Sequence, residues 1–266
     1  MKSSGAERSF SAAATASALV FVRRILPTQF RYWLWRQRHK FHYWPPLGCV
    51  RFGDLRRVTP VSRDFGSDRG ECIDRYYIEN FLAQYAQDIH GSVLEVADNT
   101  YTMRFGGDRV IKSDVLYVSE GNPRATIVAD LSSENPIAPN SFDCVILTQT
   151  LQYIYDVRAA VLTLHRILKP GGVLLASFPG ISQISRRDME RWGEYWRFTS
   201  LSARRLFEEA FSTGNVSVDS YGNVLAANAL LQGLVLEDLR RQELDCRDPD
   251  YELVITVRAV KLESDT

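Results

Sequence analysis

The sequence predicts an α/β fold: a mostly parallel sheet with helices on both faces, preceded by an N-terminal extension. Three observations predict it. Short apolar runs of buried-strand character recur through the middle of the chain, at 92–97 (SVLEVA), 110–116 (VIKSDVL), 125–131 (ATIVADL), 142–149 (FDCVILTQ) and 173–180 (VLLASFPG). Amphipathic helical patterns alternate with them, as parallel strands covered on both faces require. Turn-forming residues punctuate the alternation, most clearly Lys169-Pro170-Gly171-Gly172 before the fifth run.

Each element has its own justification. Ile78, Leu82, Tyr85 and Ile89 recur at helical spacing with Phe81 on the same side, and Gly91 is read as the end of that helix. Little helix fits between the first two strands, and almost none within EGNPRATIVADL between the second and third. Asp156 is placed to cap a helix whose stripe is Val157, Ala160, Val161, Leu164, Ile167 and Leu168. Leu206, Phe207, Ala210 and Phe211 mark a later helix. Two strand-like runs follow it, VSVDSYGNV (216–224) and the alternating YELVITVRAVK (251–261).

Composition narrows the function classes. With 45% hydrophobic and 24% charged residues, the 266-residue chain has the balance of a globular protein, long enough for one α/β domain with an extension. Lys plus Arg equals Asp plus Glu at 32 each, so no global field gathers nucleic acid. Cys49, Cys72, Cys144 and Cys246 form no metal-binding pair, and no His/Asp/Glu cluster marks a metal. The apolar run 11–22 is too short to span a bilayer and is followed by Arg23 and Arg24, so a cytoplasmic protein without a transmembrane segment is expected.

In an open parallel sheet, ligands bind outside the carboxyl ends of the strands, where strand order reverses. The polar residues read at those ends are Glu95 with Ala97-Asp98-Asn99-Thr100, then Asp114, Asp130-Leu131 and Thr148-Gln149-Thr150. Acids at successive strand ends suit ribose hydroxyls and an ammonium, and repel a phosphate. A G-x-G-x-x-G turn after the first strand is missing, which argues against a dinucleotide.

From FDCVILTQTLQYIYDVRAAVLTLHRILKPGGVLLASFPG (142–180), the chain is identified as resembling the S-adenosylmethionine-dependent methyltransferases of class I. The Phe142-Asp143 strand start, the segment Leu151–Asp156 and Leu168-Lys-Pro-Gly-Gly172 carry the resemblance, and VLEVADNTYT falls where that family keeps its first cofactor loop. The likeness covers roughly 73–260. It extends to bacterial members encoded beside glycosyltransferases, in which a stretch like Glu194-Tyr-Trp-Arg-Phe-Thr199 is common. It implies a Rossmann-like, seven-stranded sheet with an antiparallel edge, and S-adenosylmethionine as cofactor. Glu95 and the Ala97, Asp98 and Asn99 backbone would hold the amino-acid end, and Asp114 the ribose. Asp130 and the Leu131 amide would read adenine, with Gln149 near the sulfonium. The family's first loop carries glycines. Here there are none, and Asn99 is expected to keep the turn.

The acceptor is expected to be a small molecule, a sugar or related metabolite methylated on a hydroxyl. The alternative is a binding protein that kept the fold and lost the reaction. Tyr153 stands where the family often has His, and His90 and His165 are read as structural. Trp192, Tyr195, Trp196 and Arg197 are the candidate acceptor wall, with Tyr195 and Arg197 joining Tyr153 as catalytic candidates. Tyr76 and Tyr77, on the helix that crosses the cofactor in that family, are candidate acceptor contacts. The domains are expected as a loosely ordered 1–22, a basic aromatic extension 23–72 and a methyltransferase domain 73–266. The extension is expected to pack on the domain or on a second subunit, giving a homo-oligomer, and not to bind nucleic acid.

Overall fold

In a computed structural model the chain is described over residues 27–30, 32–33, 44–134 and 136–263. It divides into two compact units, Met1–Arg57 and Val58–Thr266. In the first, the ring of Phe30 stacks on Trp33 at 5.4 Å, and Gly53–Leu55 form a short 3-10 turn. The expectation for residues 1–22 lies outside the described residues, as do 34–43 of the extension.

The second unit is built on seven strands: β1 Gly91–Val96, β2 Val110–Tyr117, β3 Ile127–Val128, β4 Phe142–Thr148, β5 Leu168–Pro179, β6 Val216–Tyr221 and β7 Val254–Val260. They lie in the order β3-β2-β1-β4-β5-β7-β6. β1 runs parallel to both β2 and β4, with Leu94 opposite Asp114 and Val93 opposite Cys144. β7 is antiparallel to β5 and to β6, so the expected antiparallel edge is present. Strand order reverses between β1 and β4, which opens a crevice at their carboxyl ends.

Alternation of side chains divides the core between the two faces. Leu94, Leu116, Val145, Leu147 and Leu174 pack against α2 (Val157–Ile167) and α4 (Ser200–Phe211). On the other face Val93, Cys144, Ile146, Val173 and Leu175 meet α1 (Ile73–Gln84) and α5 (Val224–Gln232). Each such buried aliphatic side chain contributes about 1.5–3 kcal/mol. Asp156 caps α2 as expected, its carboxylate accepting from the Ala159 amide at 3.0 Å. The stripe Ala160, Val161, Leu164 and Ile167 is buried.

Several boundaries differ from the sequence reading. α1 stops at Gln84 and a 3-10 turn, Ala86–Asp88, follows; Ile89 is buried beyond the helix. Gly91 therefore opens β1 instead of ending α1. It has φ +65°, and a Cβ there would lie 2.4 Å from an Asp143 carboxylate oxygen. β6 ends at Tyr221, because Gly222 turns at φ +130° and Asn223 caps α5 by accepting from the Leu225 and Ala226 amides. The helix α5, and the short α6 (Arg241–Asp245), were not expected. Between β1 and β2 there is only a π-turn, Thr102–Gly106, and a 3-10 turn, and between β2 and β3 no helix at all, as the short spacings required.

The larger unit starts at Val58, ahead of the expected boundary at 72/73. The Val61 and Ser62 amides donate to the Gln232 carbonyl at 2.7 and 3.2 Å, and Cys72 bridges to Val235, so this stretch adds to the sheet domain. No described helix is long and apolar enough to cross a membrane, and no described cluster of His, Cys, Asp and Glu has the arrangement of a metal site.

Candidate active site

The loop after β1 is organised by Glu95. Its carboxylate is buried and accepts from the Tyr101 amide (3.2 Å), the Thr102 amide (2.7 Å) and the Thr102 hydroxyl (2.7 Å). Burial pushes its pKa up to about 7, against the lowering by those donors. Glu95 thus shapes the loop from beneath, with its oxygens already engaged by the chain. The turn itself is made by Ala97, at φ +74°, and not by Asn99. Its amide donates to the Leu116 carbonyl at 3.0 Å and its carbonyl accepts from Asn122 at 2.7 Å, bonds that hold an alanine in a glycine's conformation. Asp98 accepts from the Thr100 amide, and Asn99 donates to the Ser113 hydroxyl. These contacts fix the backbone of 97–99 just past the carboxyl end of β1.

The second acidic position is corrected. Asp114 is inside β2, which continues to Tyr117, and its buried carboxylate meets Lys112 at 2.8 Å and the Thr126 hydroxyl at 2.9 Å. It lines a groove with Ser92 and Phe142, at the starts of β1 and β4, so it lies toward the amino ends of the strands. The acid past the carboxyl end of β2 is Glu120, which sequence reasoning missed. Asp130 and Leu131 do follow β3, one residue past its end. Asp130 accepts from the Ser132 amide at 2.8 Å and hydroxyl at 2.7 Å, and Leu131 is buried.

Past β4, Gln149 adopts φ +46°, a strained conformation for a side-chain-bearing residue. Its amide donates to the Ser177 carbonyl, and its own carbonyl accepts from Gln152 at 2.9 Å. Gln149, Gln152 and Tyr153 line a cavity of ≈ 230 Å³, together with Asp74 and Arg75 from the first turn of α1. Asp188, on α3 (Arg186–Trp192), and Glu194, in the loop after it, line it as well. The Asp74 Oδ1 and Gln152 Oε1 atoms are buried there without a hydrogen-bond partner.

Charge in this cavity is specific. Arg75 donates to the Tyr101 hydroxyl at 3.2 Å, which joins α1 to the loop after β1. Burial opposes its charge, but Asp74 and Tyr101 beside it raise its pKa above the ordinary value. Tyr153 donates to Asp188 at 3.3 Å, and burial, with Asp188 and Glu194 nearby, pushes its phenol up so that it stays protonated. Trp192 packs edge-on to Tyr117 at 6.4 Å and against Tyr153 at 5.7 Å, an aromatic link from the end of β2 to the cavity.

Five other sequence candidates are employed differently. Tyr77 is buried, stacks on Tyr221 and donates to the Leu244 carbonyl at 3.0 Å, and Tyr76 donates to Asp245. Both face α6, because the face of α1 that follows their spacing packs away from the crevice. Trp196 donates its indole N–H to the Ile154 and Tyr155 carbonyls at 3.0 and 3.2 Å. Arg197 is bound to Glu194 and to the Gln183 carbonyl, each at 2.6 Å. Tyr195 is half exposed, edge-on to Tyr155. These three residues build the loop and do not line the cavity. His165 packs edge-on to Phe211 at 4.9 Å, consistent with a structural role.

Residues 78–176 match the family model described as a methyltransferase domain. Among solved structures, the chain is similar to a SAM-dependent methyltransferase from Archaeoglobus fulgidus, at 10% identity and TM-score 0.47, over 70% of this chain and 94% of that one. It is also similar to phosphoethanolamine N-methyltransferase 2 of Haemonchus contortus, at 16% identity and TM-score 0.46, over 77% of this chain and 54% of that one. A third is the N-methyltransferase NodS from Bradyrhizobium japonicum WM9, at 15% identity and TM-score 0.44, over 72% and 97%. No curated protein matches the chain.

Proposed function

We propose that this chain, whose residues 78–176 match a methyltransferase-domain model, transfers the methyl group of S-adenosylmethionine to a small polar acceptor, a hydroxyl on a sugar or related metabolite. The observation that carries the reading is the cavity at the carboxyl ends of β4 and β5, which joins Gln149 to Arg75 and Asp74. The residues fit the donor's amino-acid end. A guanidinium suits its carboxylate, and the unpartnered Asp74 Oδ1 suits its ammonium. The 97–99 backbone, turned by Ala97 past the end of β1, is assigned to the same end of the donor. Glu120, past β2, takes the ribose role that the sequence assigned to Asp114, and Asp130 with the Leu131 amide that of the adenine. When bound, the cofactor supplies an electrophilic methyl group on a sulfonium.

The chain's own residues hold the acceptor in line with that methyl group, and positioning supplies much of the acceleration. Tyr153 stays protonated, so it donates a hydrogen bond and does not act as the base. The proton released by the acceptor goes to a cavity carboxylate, and Trp192 closes the aromatic side. The cytoplasm as the place of action, and self-association through the 23–72 extension, belong to the same reading.

The test is transfer of label from methyl-labelled S-adenosylmethionine to a panel of sugars. Protein-dependent transfer that Gln149→Ala and Tyr153→Phe each reduce is the expected result. Failure of every acceptor with a folded, cofactor-binding protein contradicts the acceptor class.

A further inference from the structure

The cavity also bears on the charge of the acceptor. Four carboxylates line it, Asp64, Asp74, Asp188 and Glu194, against Arg75 as its one cationic side chain. Glu194 is matched by Arg197 at 2.6 Å, and Asp74 stands beside Arg75. Asp64 and Asp188 have no cationic partner within ion-pair distance among the described residues; Asp188 accepts only from the neutral Tyr153 hydroxyl. A separate observation comes from an uncharged residue. Gln152 is only 3% exposed, its amide nitrogen is engaged by Gln149, and its Oε1 has no partner. An amide oxygen can only accept, as can an ionised carboxylate.

A ligand that satisfies all three groups therefore presents N–H donors on a positive centre. A carboxylate or phosphate would bring acceptors against acceptors and like charge against like charge. We propose that the acceptor is a small amine that enters as a cation, its ammonium recognised by Asp64, Asp188 and the Gln152 Oε1. This rests on the methyltransferase reading above. An amino sugar meets both statements, with a hydroxyl to methylate and an amino group to be recognised.

The experiment is calorimetric titration of the full chain, saturated with S-adenosylhomocysteine, with glucosamine, glucose and glucuronate at a pH where the amine is protonated. These probes share one ring and differ in charge. Glucosamine is expected to bind about tenfold more tightly than glucose, with glucuronate weakest. Asp188→Asn, which keeps an acceptor for Tyr153, is expected to bring glucosamine close to the affinity that the same variant shows for glucose. Equal binding of glucosamine and glucose, a preference for glucuronate, or binding of none of the three overturns the inference while the donor reading stands. Absence of S-adenosylhomocysteine binding by folded protein overturns the donor reading and this inference with it.

Discussion

The two halves of the sheet are built by different means. From β4 onward, full helices α2, α4 and α5 cover the strands, and the strands and helices of this half together supply most of both core clusters. From β1 to β3 the connections are turns, and single polar side chains do the work that helices do elsewhere. Glu95 ties down the loop after β1, Asn122 holds the Ala97 carbonyl, and Thr126 bonds to Asp114. One half is specified by apolar burial, which tolerates conservative exchange, and the other by individual hydrogen bonds, which do not.

That contrast can be broken from its polar side. The largest effect is expected from Arg75→Ala, which removes the cavity's one cation. S-adenosylmethionine affinity should fall about ten- to a hundred-fold, the size of a lost charge-assisted hydrogen bond, and calorimetry reads it directly. Asp114→Ala should lower stability by at most about 1 kcal/mol in denaturant melts, because the exposed Lys112 and Thr126 that it partners return to water. Its cofactor affinity should stay at the wild-type value. A loss of affinity without loss of stability would return Asp114 to the binding site.

Glu95 gives a pH signature. Its folded pKa of about 7 lies above its ordinary 4.5, so the native state holds that proton more tightly than the unfolded chain. The stabilisation from this group is complete below the ordinary value and is lost as pH rises through the folded value. Glu95→Gln should therefore flatten the stability profile between those two values, which melts across that window measure. The smallest effect is expected at the turn. Ala97→Gly relieves a left-handed alanine at a cost of roughly 1 kcal/mol or more, partly offset by the greater entropy of unfolded glycine. A net gain of a few tenths of a kcal/mol in thermal unfolding is expected; a clear loss would show that the alanine methyl packs usefully.

The apolar half was the more legible in sequence. The β4, β5 and β7 runs, the Asp156 cap and the α2 stripe from Val157 to Ile167 appear where the pattern placed them, because burial writes a repeating signal, whereas α5 carried no such stripe and went unexpected. The polar half misled in instructive ways. Asp114 looked like a strand end because a lone acid rarely lies within a strand, yet Lys112 and Thr126 make it tolerable there. Asn99 looked like the turn residue because it tolerates left-handed angles, but hydrogen bonds force Ala97 into that role. Tyr76 and Tyr77 drew attention through their rings, while the neighbouring Asp74 and Arg75, which line the cavity, read as an ordinary charged helix start. Tyr117 and Trp192 come together only through the fold, and no sequence spacing announces their contact.

The central claim is that the cavity at the carboxyl ends of β4 and β5 holds the amino-acid end of the methyl donor. Calorimetric titration of the wild-type protein with S-adenosylmethionine and S-adenosylhomocysteine tests it most directly. The account predicts micromolar, one-to-one binding of both. No binding at millimolar ligand, in a sample shown to be folded, would contradict it.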